Sequence, residues 1–95
     1  MAGKFIEALF LVQGRVQGVS YRAHCHNLAI KHGVTGYAKN ISDGSVEILA
    51  CATPERVEAF AKSLRSTKPL GARVDIVTEA YNRACSLPPE GFKRL

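Results

Sequence analysis

The sequence predicts an α+β fold in which an antiparallel sheet carries two helices on one face. Three observations support this prediction. Apolar residues alternate with a period of two in several segments, as they do in strands. In two other segments they are spaced three and four apart, as on one face of a helix. Residues that favour turns separate these segments.

The length and composition indicate a small globular protein. A chain of 95 residues is too short for two independent cores, so we expect residues 1–95 to form a single domain. Hydrophobic residues make up 46% and charged residues 22%, close to the globular average. No apolar run approaches the roughly 20 residues that cross a bilayer, so no membrane is expected. Three widely spaced cysteines, Cys25, Cys51 and Cys85, favour reduced thiols and a cytoplasmic location.

The first strand is expected from Ile6 to Gln13, where residues of both alternating sets are apolar, as in a central strand. A turn with Gly14 and Gly18 follows. From Ser20 the period changes to that of a helix, which we expect to end at Gly33. The predicted buried stripe of this helix is Tyr21, Cys25, Leu28 and Ala29.

A hairpin is predicted next, with strands over 35–40 and 46–50 and a turn at 41–44. Thr53 then offers a capping hydroxyl and Pro54 suits the first position of a second helix. The predicted buried stripe of that helix is Val57, Phe60, Ala61 and Leu64.

The last predicted strand covers 73–79, where apolar and polar residues alternate. From Asn82 onward we expect mostly loop, with a short edge strand at 92–95. The resulting order, β-α-β-β-α-β, is that of the split βαβ or ferredoxin-like sandwich. Because this arrangement supports many unrelated activities, function has to be argued from a site.

A metal site at His24, Cys25 and His26 is not expected. Helical residues two apart point in different directions and cannot complete a tetrahedral site by themselves. We expect Cys25 in the core and both histidines at the surface.

The segment from Gly14 to Arg22 is the strongest functional signal. Glycines on both sides of the turn permit positive φ, so backbone N–H groups can converge on one point. The first helical turn adds unpaired N–H groups and the positive end of the helix dipole. Arg22 would oppose that dipole unless an anion binds between them, and its guanidinium matches two phosphate oxygens. We therefore predict an anion-binding turn over the alternative, an ordinary glycine turn with a surface arginine.

Asn40 is predicted to lie near this turn. In a split βαβ unit the first two strands are parallel with a third between them, so both end at the same edge of the sheet. A carboxamide there could hold a water molecule against a bound phosphoryl group. The competing interpretation is that Asn40 only stabilises the turn that precedes Asp43.

These residues resemble those of acylphosphatases. The matching blocks are Gly14-Arg15-Val16-Gln17-Gly18-Val19 through Tyr21-Arg22, and Thr35-Gly36-Tyr37-Ala38-Lys39-Asn40 with Asp43-Gly44. Weaker matches are Pro69-Leu70-Gly71-Ala72-Arg73-Val74 and Gly91-Phe92-Lys93-Arg94. Together these blocks span almost the whole chain.

The resemblance implies hydrolysis of the carboxyl-phosphate bond of small acyl phosphates, to a carboxylate and inorganic phosphate, without a metal. We also expect a monomer that needs no cofactor. The resemblance implies that Arg22 binds the phosphate and that Asn40 orients the attacking water. The implied phosphate cradle is made by the backbone of Arg15, Val16, Gln17, Gly18, Val19 and Ser20.

This sequence departs from the family pattern at three places. Ser20 stands where glycine or cysteine is more usual, and Tyr37 where tryptophan is common. The tail also shows weaker alternation than the family has at its end, which argues against a regular edge strand there.

Two other functions are compatible with parts of the sequence. The net charge of +5 suits a nucleic-acid-binding module, but aromatic residues are only 7% and no aromatic RNA-binding block is present. The third hypothesis is an inactive regulatory relative of the enzymes.

Overall fold

The computed structural model describes residues 4–95. The predicted order of elements is confirmed, and the short edge strand expected near residue 92 is present as a fifth strand. The elements are β1 (Ile6–Arg15), α1 (Tyr21–His32), β2 (Thr35–Asn40), β3 (Val46–Ala52), α2 (Pro54–Ser66), β4 (Arg73–Ala84) and β5 (Phe92–Arg94).

The five strands form one sheet in the order β4-β1-β3-β2-β5. β3 lies between β1 and β2 and is antiparallel to both, so β1 and β2 run parallel, as predicted. β5 pairs with β2 in parallel, which makes the sheet mixed rather than purely antiparallel. The reason is that the chain reverses after β4 and reaches the opposite edge running in the direction of β1 and β2.

Both helices pack on the same face of the sheet and against each other. The two predicted helical stripes are confirmed, since the same residues are the buried ones in α1 and α2. Gly33 ends α1 in a left-handed conformation, with its N–H directed to the carbonyl oxygens of Ala29 and Ile30. Thr53 precedes α2 as expected, but its side chain makes no capping hydrogen bond.

β4 is longer than the alternation predicted. Its second half pairs with the start of β1, from Ile6 to Leu9, after an irregularity in register between Leu9 and Phe10. Most side chains of β4 are exposed, because it is an edge strand, and an edge strand lacks the regular apolar face on which the prediction depended.

The three cysteines are free thiols. Cys25 and Cys51 are buried, and the sulfur atoms of Cys51 and Cys85 lie 2.9 Å apart at the end of the sheet where β1 begins. Neither of the two described helices has the length and apolar character needed to span a membrane.

Candidate active site

The turn between β1 and α1 has the backbone conformation that its glycines predicted. Gly14 and Gly18 both have positive φ, at 138° and 76°. A side chain at Gly14 would overlap the main chain of β4 at Arg73, so this position requires glycine for space as well. Ser20, the residue that precedes α1, is also left-handed with φ of 60°.

The N-terminus of α1 lacks the usual partners for its free N–H groups. The Ser20 side chain makes no capping hydrogen bond, and the first turn of α1 contains no acidic residue. The N–H groups of this turn, together with the positive end of the helix dipole, are therefore available to an anion.

Gln17 ties the β1–α1 turn to the turn between β2 and β3. Its Nε2 donates hydrogen bonds to the carbonyl oxygens of Ile41, at 2.7 Å, and Ser45, at 2.8 Å. That second turn is itself held by Asp43, whose Oδ1 accepts from the hydroxyl and the N–H of Ser45. These two bonds lower the pKa of Asp43. Gln17 thus holds the end of β2 beside the start of α1.

A cavity of about 570 Å³ lies between these two segments. It brings together four of the predicted site residues, Gly18, Ser20, Arg22 and Asn40, and a fifth, Val16, at its wall. No aspartate or glutamate is among the described residues that line it. The full lining is Val16, Gly18, Ser20, Tyr21, Arg22, Ala23, Asn40 and Arg94.

Arg22 and Asn40 differ in the hydrogen bonds that their side chains make with the rest of the protein. Nη1 of Arg22 donates a 2.6 Å hydrogen bond to the main-chain oxygen of Leu95, which restrains the guanidinium. Oδ1 of Asn40 is buried and accepts no hydrogen bond from any residue in the range 4–95. A hydrogen bond to a buried acceptor of this kind lowers the free energy of the folded protein.

Three predicted cradle residues, Arg15, Gln17 and Val19, have side chains outside the cavity lining. Arg15 ends β1 and is exposed, Gln17 is engaged as described above, and Val19 packs against the core. For these residues the prediction concerned the backbone, and their side chains have other roles.

His24 and His26 do not line the cavity, and both are half-buried rather than fully exposed. Nε2 of His24 lies 3.1 Å from the Thr67 hydroxyl, and burial lowers the pKa of this imidazole. The ring of His26 packs edge-on against Phe92, with ring centroids 6.3 Å apart. Within the described residues, no group of three His, Cys, Asp or Glu side chains could hold a metal ion.

Arg94 is a lining residue that the sequence did not indicate. It lies on β5, a strand that was expected only in outline, and the pairing with β2 brings it opposite Ala38. The alternation of side chains along Phe92, Lys93 and Arg94 would have placed it on the helix side, had the pairing been known.

A second hollow, of about 830 Å³, lies between α2 and β4. Its lining contains three carboxylates, Glu55, Glu58 and Glu79, against two cations, Lys62 and Arg65, so its net charge is negative and disfavours an anionic ligand. The anion-binding features of the molecule therefore coincide with the smaller cavity.

Comparison with known proteins agrees with this geometry. A sequence model of the acylphosphatase family matches residues 8–92. The chain belongs to the acylphosphatase family. The resemblance predicted from the motifs is thereby confirmed, and the protein is an enzyme of the hydrolase class. Membership of the acylphosphatases supports hydrolysis of small acyl phosphates as its activity.

Individual acylphosphatases are similar to this chain over most of their length. That of Vibrio parahaemolyticus is 39% identical over 87 residues, which cover 90% of this chain and 92% of the relative. That of Yersinia pseudotuberculosis is 46% identical over 83 residues, covering 86% and 84%. The crystal structure of the Bacillus subtilis acylphosphatase superimposes with a TM-score of 0.88 at 26% identity, over 95% of this chain and 98% of the other.

Proposed function

We propose that this cavity hydrolyses the carboxyl-phosphate bond of small acyl phosphates without a metal, with Arg22 as the phosphate ligand and Asn40 as the ligand of the attacking water. The observation that carries the proposal is the placement of Arg22 and of Asn40, whose Oδ1 has no partner within 4–95, in one cavity that has no carboxylate among its described lining residues.

The phosphoryl group would bind at the N-terminus of α1. Positive φ at Gly14, Gly18 and Ser20 turns the backbone around this point, and the first-turn N–H groups have no side-chain cap. A bound dianion reverses the unfavourable interaction between Arg22 and the helix dipole. The Leu95 oxygen holds Nη1 of Arg22, and Nη2 donates to no residue in the range 4–95, so Nη2 can contact the phosphate.

The nucleophile would be a water molecule bound by the carboxamide of Asn40, which meets Oδ1 once the side chain turns toward the cavity. This oxygen is buried, faces no donor within 4–95, and belongs to a residue of the cavity lining. A water held there lies between the end of β2 and the phosphate site, which fixes its direction of attack on phosphorus.

The chemistry does not require a side-chain base. As the water oxygen bonds to phosphorus, the bond between phosphorus and the acyl oxygen breaks, and the carboxylate leaves. A carboxylate is a weak base, so it leaves without protonation. A phosphate oxygen of the substrate accepts the proton of the water, since neither His24 nor His26 lines the cavity.

We also infer that the protein works as a single-domain monomer in the cytoplasm, on free small molecules rather than on nucleic acid or membranes. The odd number and wide spacing of the three cysteines suit a reducing compartment. One sheet and one continuous hydrophobic core include all of its elements from β1 to β5.

The decisive experiment measures breakdown of benzoyl phosphate by the purified protein, with a chelator present and inorganic phosphate as competitor. Arg22→Gln should weaken phosphate binding by about 2 to 3 kcal/mol. Asn40→Ala should lower kcat about a hundredfold, the cost of a misplaced nucleophile, with little change in phosphate affinity.

Two exposed residues on the helices provide matched controls, Arg65→Gln and Asn27→Ala, which should behave as the wild type does. Full activity in Arg22→Gln or Asn40→Ala would contradict the assigned roles. Absence of hydrolysis, together with salt-sensitive binding of single-stranded RNA, would favour the nucleic-acid hypothesis instead.

A further inference from the structure

Arg94 places a second guanidinium at the cavity. Along β5 the side chain of Phe92 points into the core, so Arg94, two residues later, points to the same side of the sheet. There it lines the cavity together with Arg22 and Asn40. β5 is one of the two edge strands, and Arg94 is exposed, which locates it at the mouth of the cavity rather than at its base.

The guanidinium of Arg94 takes no part in holding the fold together. Across residues 4–95, its side chain makes neither an ion pair nor a hydrogen bond. The neighbouring main chain is engaged instead, since the N–H of Leu95 donates to the oxygen of Ala38 at 2.8 Å. The backbone is thus held by β2 while the guanidinium stays free.

The cavity consequently offers two arginines with different surroundings. Arg22 is restrained beside the uncapped N-terminus of α1, where the phosphoryl group is proposed to bind. Arg94 approaches from a different element, β5, and no described lining residue carries a negative charge to neutralise it. A substrate whose only charge is its phosphoryl group leaves this second cation without a partner.

We propose that Arg94 is a specificity-determining residue that binds a second anionic group on the acyl portion of the substrate. The proposal rests on the proposed function, because it presupposes that the phosphoryl group occupies the α1 terminus. The preferred substrates would be acyl phosphates that carry a further carboxylate or phosphate. The exposed position of Arg94 suits a group that extends toward solvent from the scissile bond.

The test compares benzoyl phosphate with its 3-carboxy and 4-carboxy derivatives, which are rigid and cannot cyclise. The wild type should show the higher kcat/KM for at least one carboxylated substrate. Arg94→Gln should reduce that preference about fivefold, the size of effect that an exposed ion pair produces. Lys93→Gln removes the same charge from the opposite face of β5, and it should leave the preference unchanged.

Each outcome separates the two proposals. If the wild type hydrolyses none of the three compounds, the proposed function is wrong. If it hydrolyses all three, but Arg94→Gln and Lys93→Gln change the preference equally, Arg94 has no specific role. If Arg94→Gln weakens inhibition by inorganic phosphate as much as Arg22→Gln does, Arg94 binds the phosphoryl group, and the assignment to a second anion is overturned.

Discussion

Ser20 holds a backbone conformation that is unfavourable for its residue type. With φ of 60°, it is the only non-glycine residue with positive φ in the part of the chain that the structure describes. A left-handed conformation costs an L-residue about 1 to 2 kcal/mol, and glycine avoids this cost. Its departure from the family pattern therefore lies where the backbone most favours glycine, at the first N–H groups of the proposed phosphate site.

Replacement of Ser20 separates this strain from any role of its hydroxyl group. Ser20→Gly removes both, whereas Ser20→Ala removes only the hydroxyl. Because of the left-handed φ, the glycine variant should exceed the alanine variant by about 1 kcal/mol in the free energy of unfolding. Urea denaturation measures the difference.

The control is the same pair of changes at Ser42, an exposed turn residue whose φ is not positive. There glycine should be the less stable variant, since it adds entropy to the unfolded chain. Equal stability of the two Ser20 variants would show that the left-handed conformation is not retained in solution.

Single residues were predictable where their chemistry was local. Gly18 and Arg22 could be assigned because a glycine turn and a helix start are visible in a few consecutive residues. Asn40 required the topology in addition. The side-chain bonds of Gln17 were missed, because its partners are the carbonyl oxygens of Ile41 and Ser45, 24 and 28 residues away.

Among the elements, the two turns beside the cavity are coupled through one side chain. Gln17 spans from the β1–α1 turn to the β2–β3 turn, and both of its hydrogen bonds end on backbone carbonyls. Each carbonyl also accepts a backbone N–H within the β2–β3 turn, so without Gln17 that turn keeps its own bonds but loses its link to the β1–α1 turn, and with it the fixed distance of Asn40 from the start of α1. Gln17 is a positioning residue for the site.

Gln17→Ala should lower the free energy of unfolding by about 1 to 3 kcal/mol, because it removes two partly buried hydrogen bonds between the turns. It should also lower kcat for benzoyl phosphate, by displacing Asn40. Gln13→Ala, at an exposed position on β1, is the matched control and should cost little. Equal stability and activity of the two variants would disprove the coupling.

The helices were predicted to the residue along their buried faces, whereas the full length of β4 and the partner of β5 were not. A helix reveals its buried face through spacing within its own sequence. β4 extends to Ala84 because β1 offers it a partner, and β5 forms because the edge of β2 is open. Neither partner is close in the sequence, so local alternation did not reveal these pairings.

In the whole molecule, the proposed phosphate site joins segments that are far apart in the chain. The β1–α1 turn, the end of β2 and the end of β5 meet at the cavity, and Arg22 contacts the main chain 73 residues later. An unfolded chain does not assemble these groups. An anion that binds the cavity therefore stabilises the folded state.

Inorganic phosphate at ten times its dissociation constant should stabilise the protein by about 1.4 kcal/mol. A thermal melt at constant ionic strength, with chloride as the comparison salt, measures the effect. Arg22→Gln should abolish most of the stabilisation, and Arg65→Gln should retain it. A shift with phosphate no larger than with chloride would argue against a specific site.

Periodicity and turn chemistry were sufficient to predict the element order, both helical stripes and the glycine turn before α1, because each depends on forces between neighbours in the chain. The parallel direction of β5, the hydrogen bonds of Gln17 and the position of Arg94 emerged only in the folded molecule. They depend on which distant backbone groups find partners once the core has formed, and such long-range pairing leaves no periodic trace in the amino-acid order.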